Sequence, residues 1–215
     1  MSKKPSKTGR ANTPSSPRLN PVSRSAGMTG RRVAELESVM GKFVRTRGAV
    51  LEAAAAAVAA AVGAGGQVLV FGNGGSAAEA QHFAAELVNG LARRGGRPLP
   101  AIALSTDTSC LTAVGNDRGF DRVFSRQIEA LGRAGDVAVA LTTSGRSRNV
   151  LRALRSSRAI GLITIGLTGR GGGAVAPLAD FLLDVPSGST PRIQEAHLFI
   201  LHELAARLEA DTAVR

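Results

Sequence analysis

The stretch Gln67-Val68-Leu69-Val70-Phe71-Gly72-Asn73-Gly74-Gly75-Ser76 decides the fold. Its apolar half is continuous rather than alternating, the pattern of a strand covered on both faces. Its polar half is a turn in which glycines accept positive φ and let a ligand approach the backbone. Ser76 stands where a side chain would cap the helix expected over 77–91. Strand, glycine loop and helix in that order open a βαβ unit, and the free N–H groups at the start of such a helix attract an anion.

The same grammar recurs outward from this stretch. Apolar runs at 67–71, 101–104, 137–141, 162–167 and 181–185 end in Gly, Ser, Thr or Asp clusters and alternate with helical segments. This predicts an α/β fold, a doubly wound five-stranded parallel sheet sandwiched by helices. Upstream, Val33, Leu36, Val39, Met40 and Phe43 recur at helical spacing and an alanine-rich stretch continues to Val62, giving an N-terminal helical segment stopped by Gly63 to Gly66. Alanines let helices approach closely, so this segment is expected to pack against another helix, one from a second subunit. Downstream, Ser189, Thr190 and Pro191 open a helix over 191–208, with Ile193, His197, Ile200, Leu201, Leu204 and Leu208 on one stripe. No internal repeat is visible.

At 215 residues, 44% hydrophobic and 20% charged, the chain has the length and composition of one large globular domain. Its net charge of +11 is uneven: residues 1–32 hold eight Lys or Arg and no acid, which leaves +3 for the rest. Sixteen of the first 30 residues are Ser, Pro, Thr or Gly, too few apolar groups to offset the entropy of ordering. Residues 1–30 are therefore expected to be a disordered basic tail and 31–215 a single domain. The tail has no continuous apolar run of the signal-peptide kind, and the longest apolar run elsewhere, 53–62, is short of the roughly 20 residues of a membrane span. The lone Cys110 suits a cytoplasmic location. Seven Phe with no Trp or Tyr argue against stacking on nucleic acid.

Ligands of such a sheet bind beyond the carboxyl ends of its strands, which points to two loops. Gly72 to Ser76, with Ala77, matches a dinucleotide glycine pattern, but the acidic residue expected about 20 positions later is missing from the basic stretch at 91–98. The second loop, Thr142-Thr143-Ser144-Gly145-Arg146-Ser147, sets four hydroxyls at the start of a helix over 149–155, a phosphate-binding composition without the lysine of a triphosphatase. Two helices then carry all three histidines. His82 and Glu86 are four apart and share a face, which suits two metal ligands or a histidine beside a carboxylate base. On the last helix His197 falls within the apolar stripe and reads as a buried, hydrogen-bonded residue, while His202 lies beside it, facing a cleft. By angle Glu195 aligns with His202 better than Gln194 does, and spacing alone selects neither.

Five ordered motifs resemble the phosphoheptose isomerase family. They are Phe71-Gly72-Asn73-Gly74-Gly75-Ser76, Gln81-His82-Phe83-Ala84-Ala85-Glu86-Leu87, Val114-Gly115-Asn116-Asp117, Thr142-Thr143-Ser144-Gly145-Arg146-Ser147 and Arg192-Ile193-Gln194-Glu195-Ala196-His197. The resemblance runs from about Arg31 to Leu208. It implies the sugar-isomerase (SIS) fold and conversion of sedoheptulose 7-phosphate to D-glycero-D-manno-heptose 7-phosphate through an enediol, in a cytoplasmic homotetramer. It further implies substrate contacts at Asn73, Gly74, Gly75, Ser76, Glu86, Asn116, Asp117, Thr142, Thr143, Ser144, Ser147 and Gln194. One zinc per subunit would sit on His82, Glu86, Gln194 and His202, with Glu86 as base and His202 as acid. Thr142 departs from the serine common at its position in the family but keeps the hydroxyl. The rival readings are a non-catalytic SIS protein that associates with a replication initiator, whose relatives lack the counterparts of Glu86 and His202, and an SIS protein for another phosphosugar.

Overall fold

The computed structural model describes residues 27–90 and 97–212. The expected tail at 1–30 falls outside them up to residue 26; from Gly27 the chain is already helical. The chain divides after Ala34 into two units. In the first, the described residues 27–34 are the opening turns of helix α1 (Gly27–Gly63).

The second unit carries the sheet. Its strands are β1 (Val68–Gly72), β2 (Ala101–Ala103), β3 (Val137–Thr142), β4 (Ile163–Thr168) and β5 (Phe181–Asp184). They lie in the order β2-β1-β3-β4-β5, all parallel. The crossovers hold α2 (Gly75–Asn89), α3 (Thr108–Arg118), α4 (Ser125–Leu131) and α5 (Arg148–Ile160), and α6 (Thr190–Thr212) follows β5. This is the expected doubly wound sheet, and each strand lies within two residues of its predicted bounds.

Alternation along the strands divides the interior into two cores. Val68, Val70, Val139 and Leu141 face α1, α2 and α6, packing with Phe43, Val58, Phe83, Ile200 and Leu204. Leu69, Phe71, Ala138 and Ala140 face the other way, onto Phe124 and Ile128 beside α4 and onto Val150 and Leu154 of α5. Each fully buried Val, Leu, Ile or Phe among them stabilises the fold by about 1.5–3 kcal/mol. Of the alanines of α1, Ala54, Ala55 and Ala61 lie in the first core with α2 and α6, while Ala53, Ala56 and Ala60 are exposed. By length and composition alone α1 could cross a membrane, yet Leu51, Ala54, Ala55 and Val58 are buried against the sheet.

After β1 the chain moves outward to β2, then returns to the opposite side of β1 for β3. The β1–β3 boundary is thus the switch point at which the two following loops part and leave a crevice. Gly72 pairs in register with Leu141, so the two loops singled out from sequence leave the sheet side by side.

Candidate active site

The loop after β1 turns through Gly74, whose φ of 56° is open to glycine and strained for other residues. Gly74, not Ser76, is the N-cap of α2, and no side chain caps the helix. The expected capping role of Ser76 is therefore corrected: Ser76 lies buried in the first turn, with its hydroxyl on Glu79. The reason is that the helix starts at Gly75, as soon as Gly74 has turned the chain, two residues earlier than a cap at Ser76 would start it. Gly75 is a close approach, since a Cβ there would stand 2.3 Å from Gln194 Nε2.

Across the crevice, Thr142 Oγ1 lies 3.1 Å from Ser147 Oγ and 3.4 Å from Ser144 Oγ, so three of the four predicted hydroxyls converge. Ser147 is the N-cap of α5, but its side chain makes no cap bond. Its hydroxyl is turned into the cluster instead, and the helix presents an end without a side-chain cap, as α2 does. Gly145 holds the loop shut with φ 63°, where a Cβ would strike the Gly172 carbonyl oxygen at 2.3 Å. Thr143 contributes its carbonyl, which accepts from the Gly169 N–H.

Asn73 links the two loops. It exchanges two side-chain hydrogen bonds with Asn149 of α5, at 2.9 and 2.8 Å, and Asn149 is buried. Beside this pair a cavity of about 500 Å³ is lined by Asn73, Phe120, Asp121, Arg148 and Asn149. It does not reach the histidines. Asn116 and Asp117 lie exposed on α3 with Asn116 Nδ2 donating to Asp117 Oδ1, and among the described residues no hydrogen bond joins them to either loop.

On the α2–α6 side, His82 Nε2 stands 2.7 Å from His202 Nε2, so one ring must present an N–H to the lone pair of the other. Glu86 Oε1 lies 3.6 Å from His82 Nε2. Of the two residues that spacing left open, Gln194 lies against Gly75, whereas Glu195 is exposed and accepts from Arg192 at 2.6 Å. His197 is fully buried, as its place in the stripe predicts, with Nε2 3.2 Å from the Thr168 carbonyl.

The donor set fits zinc in kind: two imidazole nitrogens converge on one point, with a carboxylate close by and an amide oxygen available on Gln194. Among the described residues no three His, Cys, Asp or Glu side chains form a metal cage. Sequence reading passed over Asn149 and Glu79. The signal for Glu79 was its helical spacing of three from both Ser76 and His82; Asn149 carried none beyond its place at a helix start.

Fold and crevice define a sugar-isomerase domain, and residues 33–169 match the SIS domain family model. The chain is 55% identical over 152 residues to the phosphoheptose isomerase of Aquifex aeolicus, covering 71% of this chain and 79% of that one. It is 57% identical over 152 residues to that of Geobacter metallireducens, covering 71% and 80%. The solved phosphoheptose isomerase of Neisseria gonorrhoeae superposes with a TM-score of 0.80 at 42% identity, over 85% of this chain and 97% of that one. That of Francisella tularensis gives 0.82 at 35% identity, over 87% and 100%. The chain belongs to the phosphoheptose isomerase family.

Proposed function

We propose that the chain isomerises D-sedoheptulose 7-phosphate to D-glycero-D-manno-heptose 7-phosphate. The observation that carries this reading is that α2 connects two sets of groups: it starts at the switch point beside the phosphate-type loops and uncapped helix ends, and about two turns farther on it bears His82 and Glu86, which with His202 of α6 form an imidazole pair with a carboxylate. The 7-phosphate is expected among Thr142, Thr143, Ser144 and Ser147, where hydroxyls and the α5 N-terminus donate to an anion. The sugar hydroxyls would meet Asn73, Gly74, Gly75, Ser76, Gln194 and, from α3, Asn116 and Asp117.

Aldose–ketose isomerisation moves one proton between adjacent carbons through an enediol. Glu86 is assigned the base that takes and returns this proton, and His202 the acid that serves the oxygen. A zinc ion held by His82, Glu86, Gln194 and His202 would polarise the substrate oxygens and stabilise the developing negative charge. His82 and Gln194 orient the substrate in this scheme, and Gly75 leaves room for the Gln194 amide.

The protein is read as a cytoplasmic homotetramer without membrane or nucleic-acid partners. Supporting the assembly, the crevice is open within one chain: Gly74, Gly75, Ser144, Asn116 and Asp117 are exposed, and a neighbouring subunit would close it. The test is incubation of metal-replete protein with sedoheptulose 7-phosphate while aldose phosphate formation is followed. Product is expected; its absence, with binding retained, would favour a non-catalytic SIS protein.

A further inference from the structure

Two buried polar atoms close to this site have no hydrogen-bond partner, Glu79 Oε2 and His197 Nδ1. They face each other across α2 and α6 at 3.9 Å. His197 Nε2 lies against the Thr168 carbonyl, which only accepts, so the ring carries its proton on Nε2 and Nδ1 is a bare lone pair. An ionised Glu79 would set a second acceptor against it, leaving both groups unsatisfied in a buried place, a costly arrangement. A protonated Glu79 turns the same pair into donor and acceptor, and closing the gap by about 1 Å makes a normal hydrogen bond.

We propose that Glu79 is a positioning residue acting as a neutral acid, its Oε2–H donating to His197 Nδ1 and latching α2 to α6. The latch sits three residues before His82 on one helix and three after Gln194 on the other. A polar string runs through it from the Thr168 carbonyl at the end of β4, through His197 and Glu79, to the Ser76 hydroxyl in the glycine loop. It thereby fixes how the α2 face bearing His82 and Glu86 meets the α6 face bearing Gln194 and His202. Burial favours the neutral form of both partners, pushing Glu79 up to about 7 and His197 down to about 4. The groups facing Glu79 are His197 from α6 and Ser76 from α2 itself, with the β4 carbonyl behind His197. Among the described residues no other charged group forms an ion pair with either.

The kinetic test rests on the isomerase reading and compares Glu79→Gln with Glu79→Ala in metal-replete protein from pH 6 to 8.5. If the latch holds, kcat of the parent declines above pH 7 as Glu79 ionises; glutamine donates an amide N–H at every pH, so Glu79→Gln is expected to keep kcat within about threefold of the parent and to show no such decline. Glu79→Ala is expected to lose kcat tenfold or more with KM changed less than twofold. A Glu79→Gln variant as impaired as Glu79→Ala, or one that keeps the parent pH profile, overturns the proposal. Nitrogen-15 NMR of the His197 ring reads the latch without turnover. A neutral ring protonated on Nε2 from pH 5 to 8, perturbed as Glu79 titrates near 7, supports it; a cationic ring, or one protonated on Nδ1, refutes it even if the protein isomerises nothing.

Discussion

Glu86 stands one helical turn from His82, with its carboxylate 3.6 Å from the imidazole Nε2. If it is the base, removing its ability to take a proton while keeping its shape should separate chemistry from binding. Glu86→Gln is expected to lower kcat by about 10²–10⁴ while sugar-phosphate affinity, read by calorimetry, stays near the parent value; near-normal turnover would reject the assignment. Gly145 is a residue of the opposite kind, functional because it lacks a side chain. Alanine there would need a left-handed backbone and would put its Cβ against the Gly172 carbonyl. Gly145→Ala is therefore expected to cost at least ~1–3 kcal/mol, seen as a lower urea midpoint, and to raise KM by displacing Ser144 and Ser147.

At the scale of the element, α2 and α6 bring together most of the candidate catalytic machinery, and the Glu79–His197 contact gives their packing a pH dependence. Glu79 is pushed up from 4.5 to about 7, so the folded state holds its proton more tightly than the unfolded chain does. Its stabilising contribution is complete below pH 4.5 and is lost as pH rises to about 7. His197 is pushed down from 6.5 to about 4, so its contribution is complete above pH 6.5 and is lost as pH falls to about 4. The two slopes oppose each other between pH 4.5 and 6.5. Glu79→Gln leaves only the second, and its urea stability relative to the parent is expected to grow from pH 5 to 7 and then level off. The elements themselves differed in how readily they could be read. β1, α2, β3 and α6 announced themselves through apolar runs, glycine turns and a six-residue stripe. Helix α3 buries none of its side chains, so it has no stripe to find, and only the Asp107 carboxylate capping the Cys110 N–H marks where it starts. The loops were legible for the same reason in reverse, because glycines and hydroxyls after a strand have few other uses. The Asn73–Asn149 and Glu79–His197 contacts were not, since each joins residues more than 70 positions apart and only the packed helices bring them together.

For the whole molecule, residues 1–32 hold +8 of the net +11 and leave a nearly balanced body, and the crevice at the β1–β3 switch point is lined by converging hydroxyls and a helix start rather than by a cluster of charged side chains. Within one chain Gly74, Gly75 and Ser144 of the crevice are exposed. On α6, Leu198 lies four residues from both Gln194 and His202, on their face of the helix, and is 37% exposed. A large apolar side chain left open beside a site is what a subunit contact covers. In the proposed homotetramer Leu198 lies at the boundary, and a charge placed there has to be desolvated or the contact given up. Light scattering of the parent is expected to give four times the 22.0 kDa chain mass. Leu198→Glu is expected to lower that mass and kcat/KM together, with the far-ultraviolet circular dichroism of the parent retained. A variant that stays tetrameric and fully active would place the subunit contact elsewhere, and a parent that is monomeric and active would show that one chain closes its own site.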